Sequence, residues 1–268
     1  MSMTPSIIVV TDLDGTLLDH VTYQYNLALD AMNCLNRLEI PLILNSSKTA
    51  AEIISLRQKM NNHHPFIVEN GAGVYLPSKE QSNGFEIHSF GQKREFILHA
   101  LNQIREEYSL PYIGFADMNE EMLLEETGLT TEQAQKAKQR EFTEPLKWLG
   151  NERQWSVFCT EIKRSGLIAV KGGRFITVSG RVNKGEAMKW LRNYYQQKTG
   201  VEPTIIALGD SENDKQMLEF SDQAVLVRSS AHELPSIDKK ELIITNEVGP
   251  KGWNNSVISL LQQYNLID

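Results

Sequence analysis

The first marked hydrophobic run is Ile7-Ile8-Val9-Val10, and it gives way after Thr11 to Asp12-Leu13-Asp14-Gly15-Thr16. A short, continuous run of β-branched residues predicts a strand buried on both faces of a parallel sheet. Apolar positions then recur at helical spacing from Tyr25 to Leu38 and stop at Pro41. Leu42-Ile43-Leu44 predicts a second strand, which ends in the polar cluster Asn45-Ser46-Ser47-Lys48-Thr49 before a helical pattern through Met60. Phe66-Ile67-Val68, followed by Glu69-Asn70-Gly71-Ala72-Gly73, predicts a third strand with a glycine-rich end. This alternation predicts right-handed βαβ units in a doubly wound α/β sheet.

From about Ser78 to Gly180 the texture changes to helices mixed with short amphipathic strands, with Ser82-Asn83-Gly84 as punctuation. Thr130 with Gln133 predicts a capping box at a helix start, and the polar run Gln135 to Gln139 reads as a solvated face. Leu167 to Val170 and Phe175 to Val178, joined through Lys171-Gly172-Gly173, predict a hairpin. The buried-strand pattern returns at Thr204 to Leu208, ending in Gly209-Asp210, with further strands at Ala224 to Val227 and Leu242 to Thr245. The expected organisation is a core from residues 1–82 and 181–268 interrupted by an inserted α+β unit, 83–180. The linkers near 82 and 181 are short enough to act as hinges.

Composition narrows the classes. With 268 residues, 41% hydrophobic, the chain can bury one large core or two smaller ones. No apolar run approaches the roughly 20 residues of a membrane-spanning helix, and the start MSMTPSIIVV is too short and uncharged for a secretory signal, so a cytoplasmic protein is expected. The net charge of −7 and the lack of a Lys/Arg-rich stretch argue against nucleic acid as a partner. Cys34 and Cys159 lie far apart in helical, apolar contexts and are expected to be buried, reduced thiols. His63-His64 before Pro65 read as exposed loop residues, and Trp148, Trp155 and Trp190 as packing residues on helical faces.

Asp12 and Asp14 follow the first strand directly, where an open α/β sheet presents its ligand crevice. Two such close carboxylates repel each other unless one holds a proton or a cation lies between them, and an all-oxygen donor set favours Mg²⁺. Gly209-Asp210-Ser211-Glu212-Asn213-Asp214 repeats the arrangement after a later strand. Asp12, Asp14, Asp210 and Asp214 are therefore the candidate metal residues, with Asp214 and Asn213 also placed to orient ligands from the turn. Taken alone, each segment has an acidic strand end or helix cap as its alternative reading; the two motifs together favour the cation site. Ser46 after the second strand, with the N–H groups of the next helix, and Lys184 before a late helix are candidate phosphate partners.

Asp-Leu-Asp-Gly-Thr, a Ser after the second strand, a late Lys and Gly-Asp-x-x-x-Asp, in this order, resemble the four motifs of the haloacid dehalogenase (HAD) superfamily. The match covers residues 7–76 and 181–230, and the insertion resembles the C2B cap shared with Cof-type phosphatases and phosphomannomutases. The resemblance implies a Rossmann-like, mostly parallel core with an inserted α+β cap. Asn45 to Thr49, Phe66 to Gly73 and Arg140-Glu141-Phe142-Thr143-Glu144-Pro145 are similar to segments of the mannosyl-3-phosphoglycerate phosphatase family, whereas Cof-type relatives usually carry Thr-Gly-Arg at the second motif.

What the resemblance implies is a Mg²⁺-dependent hydrolysis of a phosphorylated sugar glycerate. Asp12 would be the nucleophile, Asp14 the general acid and base, and Ser46 and Lys184 the phosphate holders. Arg140 and Arg174 are candidates for a substrate carboxylate. Asn70, Thr143 and Glu144 are candidates for sugar hydroxyls, and Ser47, Lys48 and Asn213 complete the candidate substrate set. A phosphatase for another sugar phosphate, a phosphomutase, and a non-catalytic binding protein remain open on these motifs. Oligomeric state is not encoded in any of them.

Overall fold

A computed structural model describes residues 6–78, 84–172 and 174–268. The extreme N-terminus, Ser82-Asn83 and Gly173 of the hairpin turn lie outside the described residues. In chain order the elements are β1 (Ile7–Thr11), α1 (Leu29–Arg37), β2 (Leu42–Asn45), α2 (Ala50–Lys59), β3 (Phe66–Val68), β4 (Gly73–Pro77) and β5 (Phe85–Ser89). There follow α3 (Arg94–Tyr108), β6 (Tyr112–Gly114), α4 (Glu120–Thr127), α5 (Thr131–Lys138), β7 (Thr143–Trp148), α6 (Glu152–Arg164), β8 (Ile168–Lys171) and β9 (Ile176–Ser179). The chain ends with α7 (Lys184–Thr199), β10 (Thr204–Gly209), α8 (Lys215–Phe220), β11 (Gln223–Arg228), β12 (Leu242–Val248) and α9 (Gly249–Gln263).

The chain divides into two compact units: one runs to Ser46 and adds Asn62–Ile87 and Asn183–Asp268, the other comprises Ser47–Asn61 and His88–Val182. The first unit carries a sheet of order β12-β11-β10-β1-β2-β3-β4-β5. Strands β12 to β3 pair in parallel and β4 turns back antiparallel on β3, so the sheet is mostly parallel as expected. Ile8, Val9 and Val10 are 0–1% exposed, which is why β1 reads as an unbroken apolar run: it has neighbours on both faces. Each such side chain withdrawn from water contributes about 1.5–3 kcal/mol. From β1 the strand order runs one way through β2 and β3 and the other way through β10 and β11. That reversal opens a crevice at the carboxyl ends of β1 and β10.

In the second unit β6-β7-β9-β8 form an antiparallel sheet, the β8–β9 hairpin included. Ile97, Leu101 and Ile104 of α3 and Phe158 and Ile162 of α6 pack with Leu146 and Val178 of the sheet. A smaller cluster joins Phe115, Met118, Leu123 of α4 and Ala134 of α5. The Thr130–Gln133 capping box is present at α5. Helix α2, which follows β2 in sequence, belongs with this second unit.

Two side-chain expectations need correction. Trp148 sits on β7, not on a helix, where it packs against Tyr112, Trp155 and Phe158. Both cysteines are free, but Cys159 is only partly buried, unlike Cys34. His63 is exposed and His64 half-buried.

Candidate active site

The register of β1 against β10 places Thr11 beside Leu208, and the Asp12 N–H donates to the Leu208 carbonyl at 2.9 Å. The two strands therefore deliver Asp12 and Asp210 to the same edge. Gly15, with φ +83°, turns the chain immediately after this edge; a Cβ there would lie 2.5 Å from Asp210 Oδ2, so the turn requires glycine. Behind the turn, Thr16 Oγ1 donates to Asp210 Oδ1 at 3.0 Å. Trp253 Nε1 of α9 donates to Thr11 Oγ1 at 3.0 Å, and that hydroxyl donates to the Asp12 carbonyl at 2.7 Å.

Lys184, the first residue of α7, is fully buried. Its Nζ donates to Asp12 Oδ1 at 2.5 Å and to Asp214 Oδ1 at 2.6 Å. Asp214 Oδ2 accepts from the N–H groups of Asp210 and Ser211 at 3.0 and 3.1 Å, so this carboxylate both closes its own turn and holds the lysine. Asn45 Nδ2 donates to the Lys184 carbonyl at 3.2 Å, tying the end of β2 to the start of α7. Gly71, φ +94°, allows the Asn183 carbonyl to approach: a Cβ would sit 2.1 Å from that oxygen.

One oxygen from each of Asp12, Asp210 and Asp214 lies within 4.8 Å of the others, and all three residues are buried. The Asp14 carboxylate, also a candidate ligand, is not a member of this cluster among the described residues; its residue is half-buried. Burial holds the Asp12 carboxyl well above the ordinary carboxylate range; Lys184 opposes the rise, and Asp214, Asp210 and Asp14 add to it. Burial and then Asp214 raise Asp210 likewise. Burial works against the charge on Lys184, but Asp12 and Asp214 outweigh it and raise its pKa. Three buried carboxylates with a single ammonium, which pairs with Asp12 and Asp214, carry surplus negative charge that a proton or a hard divalent cation can neutralise. The donor set therefore fits a cation such as Mg²⁺.

Residues 9–249 match the family model of haloacid dehalogenase-like hydrolases. The chain belongs to this family. A glucosyl-3-phosphoglycerate/mannosyl-3-phosphoglycerate phosphatase of Methanococcoides burtonii is 36% identical over 97% of this chain and 99% of its own length. A protein of the same name from Persephonella marina is 31% identical over 96% and 97%. With relatives of that reaction class aligned along nearly its whole length, this haloacid dehalogenase-like hydrolase is a phosphatase. Among solved structures, a phosphatase of the superfamily from Bacteroides thetaiotaomicron superposes with a TM-score of 0.69 over 99% of this chain and 97% of that one, at 15% identity. A Thermotoga maritima protein gives 0.68 over 98% of both chains at 17% identity. At such identities these two bear on the fold alone.

The remaining candidates of this hydrolase separate by unit. Ser46 is buried at the end of β2, where its N–H donates to Ile67 O and its carbonyl accepts from Asn70 N. Helix α2 opens with a capping box, Glu52 N donating to Thr49 Oγ1 and Thr49 N to Glu52. Asn70, at φ 61°, accepts from Asn213 Nδ2 at 3.1 Å, so these two candidates meet.

In the second unit Ser47 and Lys48 are half-buried. Arg140 donates to Thr143 Oγ1 at 2.8 Å and to the Ser47 carbonyl at 3.3 Å, which brings three candidates together. Glu144 is fully buried and engaged within its unit: it pairs with Arg94 at 2.6 Å and accepts from Ala116 N at 2.7 Å. Arg174 is engaged within its unit too. Its terminal nitrogens donate to the carbonyls of Glu126 and Thr127, closing the C-terminal end of α4.

Three residues at the site were not singled out from the sequence. Thr16 belongs to the Asp-Leu-Asp-Gly-Thr motif and could have been found there. Trp253 reaches Thr11 from α9, and the signal available was an aromatic residue just after Gly249-Pro250, a helix start. His232 Nε2 lies 3.0 Å from Asp210 Oδ2 and comes from a loop with no periodic signal at all.

Proposed function

We propose that the enzyme hydrolyses the phosphomonoester of a glycosyl-3-phosphoglycerate, mannosyl-3-phosphoglycerate first, releasing mannosylglycerate and phosphate. The observation that carries the reading is the convergence of Asp12 and Asp210 from adjoining strand ends with Lys184 from the start of α7, in a chain whose relatives, aligned along nearly their whole length, bear that substrate in their names. Those names pair the mannosyl with the glucosyl compound, so glucosyl-3-phosphoglycerate is the second substrate to test.

Lys184 engages Asp12 through Oδ1 and fixes the carboxylate's rotation. The other oxygen attacks phosphorus in line, forming the Asp12–phosphate bond as the bond from phosphorus to the glycerate oxygen breaks. Asp14, half-buried beside the turn, gives a proton to the departing alkoxide; it then takes one from the water that cleaves the aspartyl phosphate, so protons balance over the cycle. Ser46 and Lys184 hold the transferring phosphoryl oxygens. Asp12, Asp210 and Asp214 would hold Mg²⁺, with the Asp14 carbonyl as a further donor, and the ion supplies charge neutralisation between carboxylate and phosphate. Arg140, with Thr143 beside it, is suited to the glycerate carboxylate. The inserted segment 83–180 is the proposed cap, and it would exclude bulk water during the reaction.

The test is phosphate release over mannosyl- and glucosyl-3-phosphoglycerate, hexose phosphates and disaccharide phosphates, with and without Mg²⁺, for wild type and Asp12→Asn. A phosphoglycerate preference that disappears in a folded Asp12→Asn variant is expected. Near wild-type turnover by that variant overturns the nucleophile assignment, and an equal rate on simple hexose phosphates overturns the substrate.

A further inference from the structure

His232 stands apart from the four motifs, in the irregular stretch between β11 and β12, and its side chain is about one-third exposed. Its Nε2 lies 3.0 Å from Asp210 Oδ2, and its Nδ1 lies 3.0 Å from the Glu233 carbonyl oxygen. The backbone contact fixes the plane of the ring, and the ring in turn meets one oxygen of a carboxylate that is only 2% exposed. The other oxygen of the same carboxylate receives Thr16 Oγ1 at 3.0 Å. Asp210 is thus gripped at both oxygens, from β1's turn on one side and from the 229–233 loop on the other. The imidazole is not part of the Asp12, Asp210 and Asp214 cluster; it reaches Asp210 from outside that group.

From this geometry we propose that His232 is a positioning residue for cation binding: it fixes the rotation of the Asp210 carboxylate, so that one oxygen is already turned toward Asp12 and Asp214 before a divalent ion arrives. The inference rests on the reading of the three aspartates as a divalent-cation centre. A carboxylate held in its ligating rotamer loses no further freedom on binding, and partners of this kind commonly change metal affinity 10- to 100-fold. Thr16 holds one oxygen of the carboxylate by a hydrogen bond, and His232 adds a polar contact that restrains the other. Because the ring is one-third exposed and carried on a loop, its loss removes little packing.

The experiment is isothermal titration calorimetry of Mg²⁺ into chelator-stripped full-length enzyme at one fixed pH, for wild type, His232→Ala and His232→Gln, alongside melting of the metal-free proteins. Glutamine keeps an N–H donor at comparable reach. His232→Ala is expected to weaken Mg²⁺ binding about 10-fold, with His232→Gln recovering most of that loss and both metal-free melting temperatures within roughly 2 °C of wild type. Mg²⁺ affinity of His232→Ala within twofold of wild type overturns the inference, as does a glutamine variant as weak as alanine. If His232→Ala does not fold, wild type against His232→Gln and His232→Asn decides: asparagine is too short to reach Asp210, so equal affinity for all three is the refuting result. A wild-type protein that binds no Mg²⁺ fails differently, because it overturns the cation centre itself along with the role of His232.

Discussion

Lys184→Met deletes a charge while keeping most of an unbranched side chain, so its cost isolates the buried ion pairs. Lys184 and Asp214 are 0% exposed as side chains and Asp12 is 8% exposed, with nitrogen–oxygen separations of 2.5 and 2.6 Å. Removing one partner from a buried pair leaves uncompensated charge and costs about 3–5 kcal/mol. With an unfolding entropy of about 2.1 cal/mol/K per residue over 268 residues, that cost lowers Tm by roughly 5–9 °C. The measurement is thermal and urea unfolding at pH 7.5 in chelator, so that no cation replaces the ammonium. Acidification shrinks the deficit: a carboxyl held above its unfolded pKa gives stability at low pH and loses it as pH rises through the folded value. A double-mutant cycle with Asp214→Asn closes the test, because both changes act on one bond. The double variant should be less destabilised than the sum of the singles by at least about 1 kcal/mol. A Tm change below about 2 °C, or an additive cycle, refutes the account of Lys184 as the clamp between β1 and the 210–214 turn.

Gly15→Ala forces a Cβ to 2.5 Å from Asp210 Oδ2 at φ +83°, so it should cost about 1–2 kcal/mol in backbone strain and weaken Mg²⁺ binding; calorimetry with unchanged affinity would show that the turn tolerates the methyl. Arg174→Ala removes the closure of α4 and should lower stability by about 0.3–1 kcal/mol while leaving KM for a phosphoglycerate unchanged; a selective KM increase would restore Arg174 to substrate binding. Glu144 has a pKa raised by burial, which outweighs Arg94, so the folded state binds more protons than the unfolded one above pH 4.5. Wild-type stability should therefore fall with rising pH through that window, relative to Glu144→Gln; parallel urea midpoints from pH 4.5 to 7 would contradict this sign.

How much of this was readable from the chain depends on how far each signal travels along it. The Asp12 and Asp210 motifs are contiguous with their strands, and a buried parallel strand announces itself by an unbroken apolar run; both carboxylates could thus be placed at strand ends, and the alternation of elements placed the ends side by side. Lys184 carried no such local mark, since a lysine opening a helix is ordinarily solvated, and only its order in the chain ranked it. The partners that complete the site are long-range and individually ordinary: a loop histidine 22 positions beyond Asp210, and Trp253, 242 positions beyond Thr11. In the second unit residue type alone does not separate substrate contacts from structural ones. Arg174 and Glu144 have the charge a substrate glycerate or sugar would need, and a helix end and a half-buried arginine engage the same groups. Arg140 keeps company with Thr143 and Ser47, both drawn from segments that pointed to phosphoglycerate chemistry. A charge is therefore best assigned to substrate after the carbonyls and carboxylates of its own unit have been counted, and Arg140, the proposed partner of the substrate's carboxylate, is itself shared with the Ser47 carbonyl and Thr143.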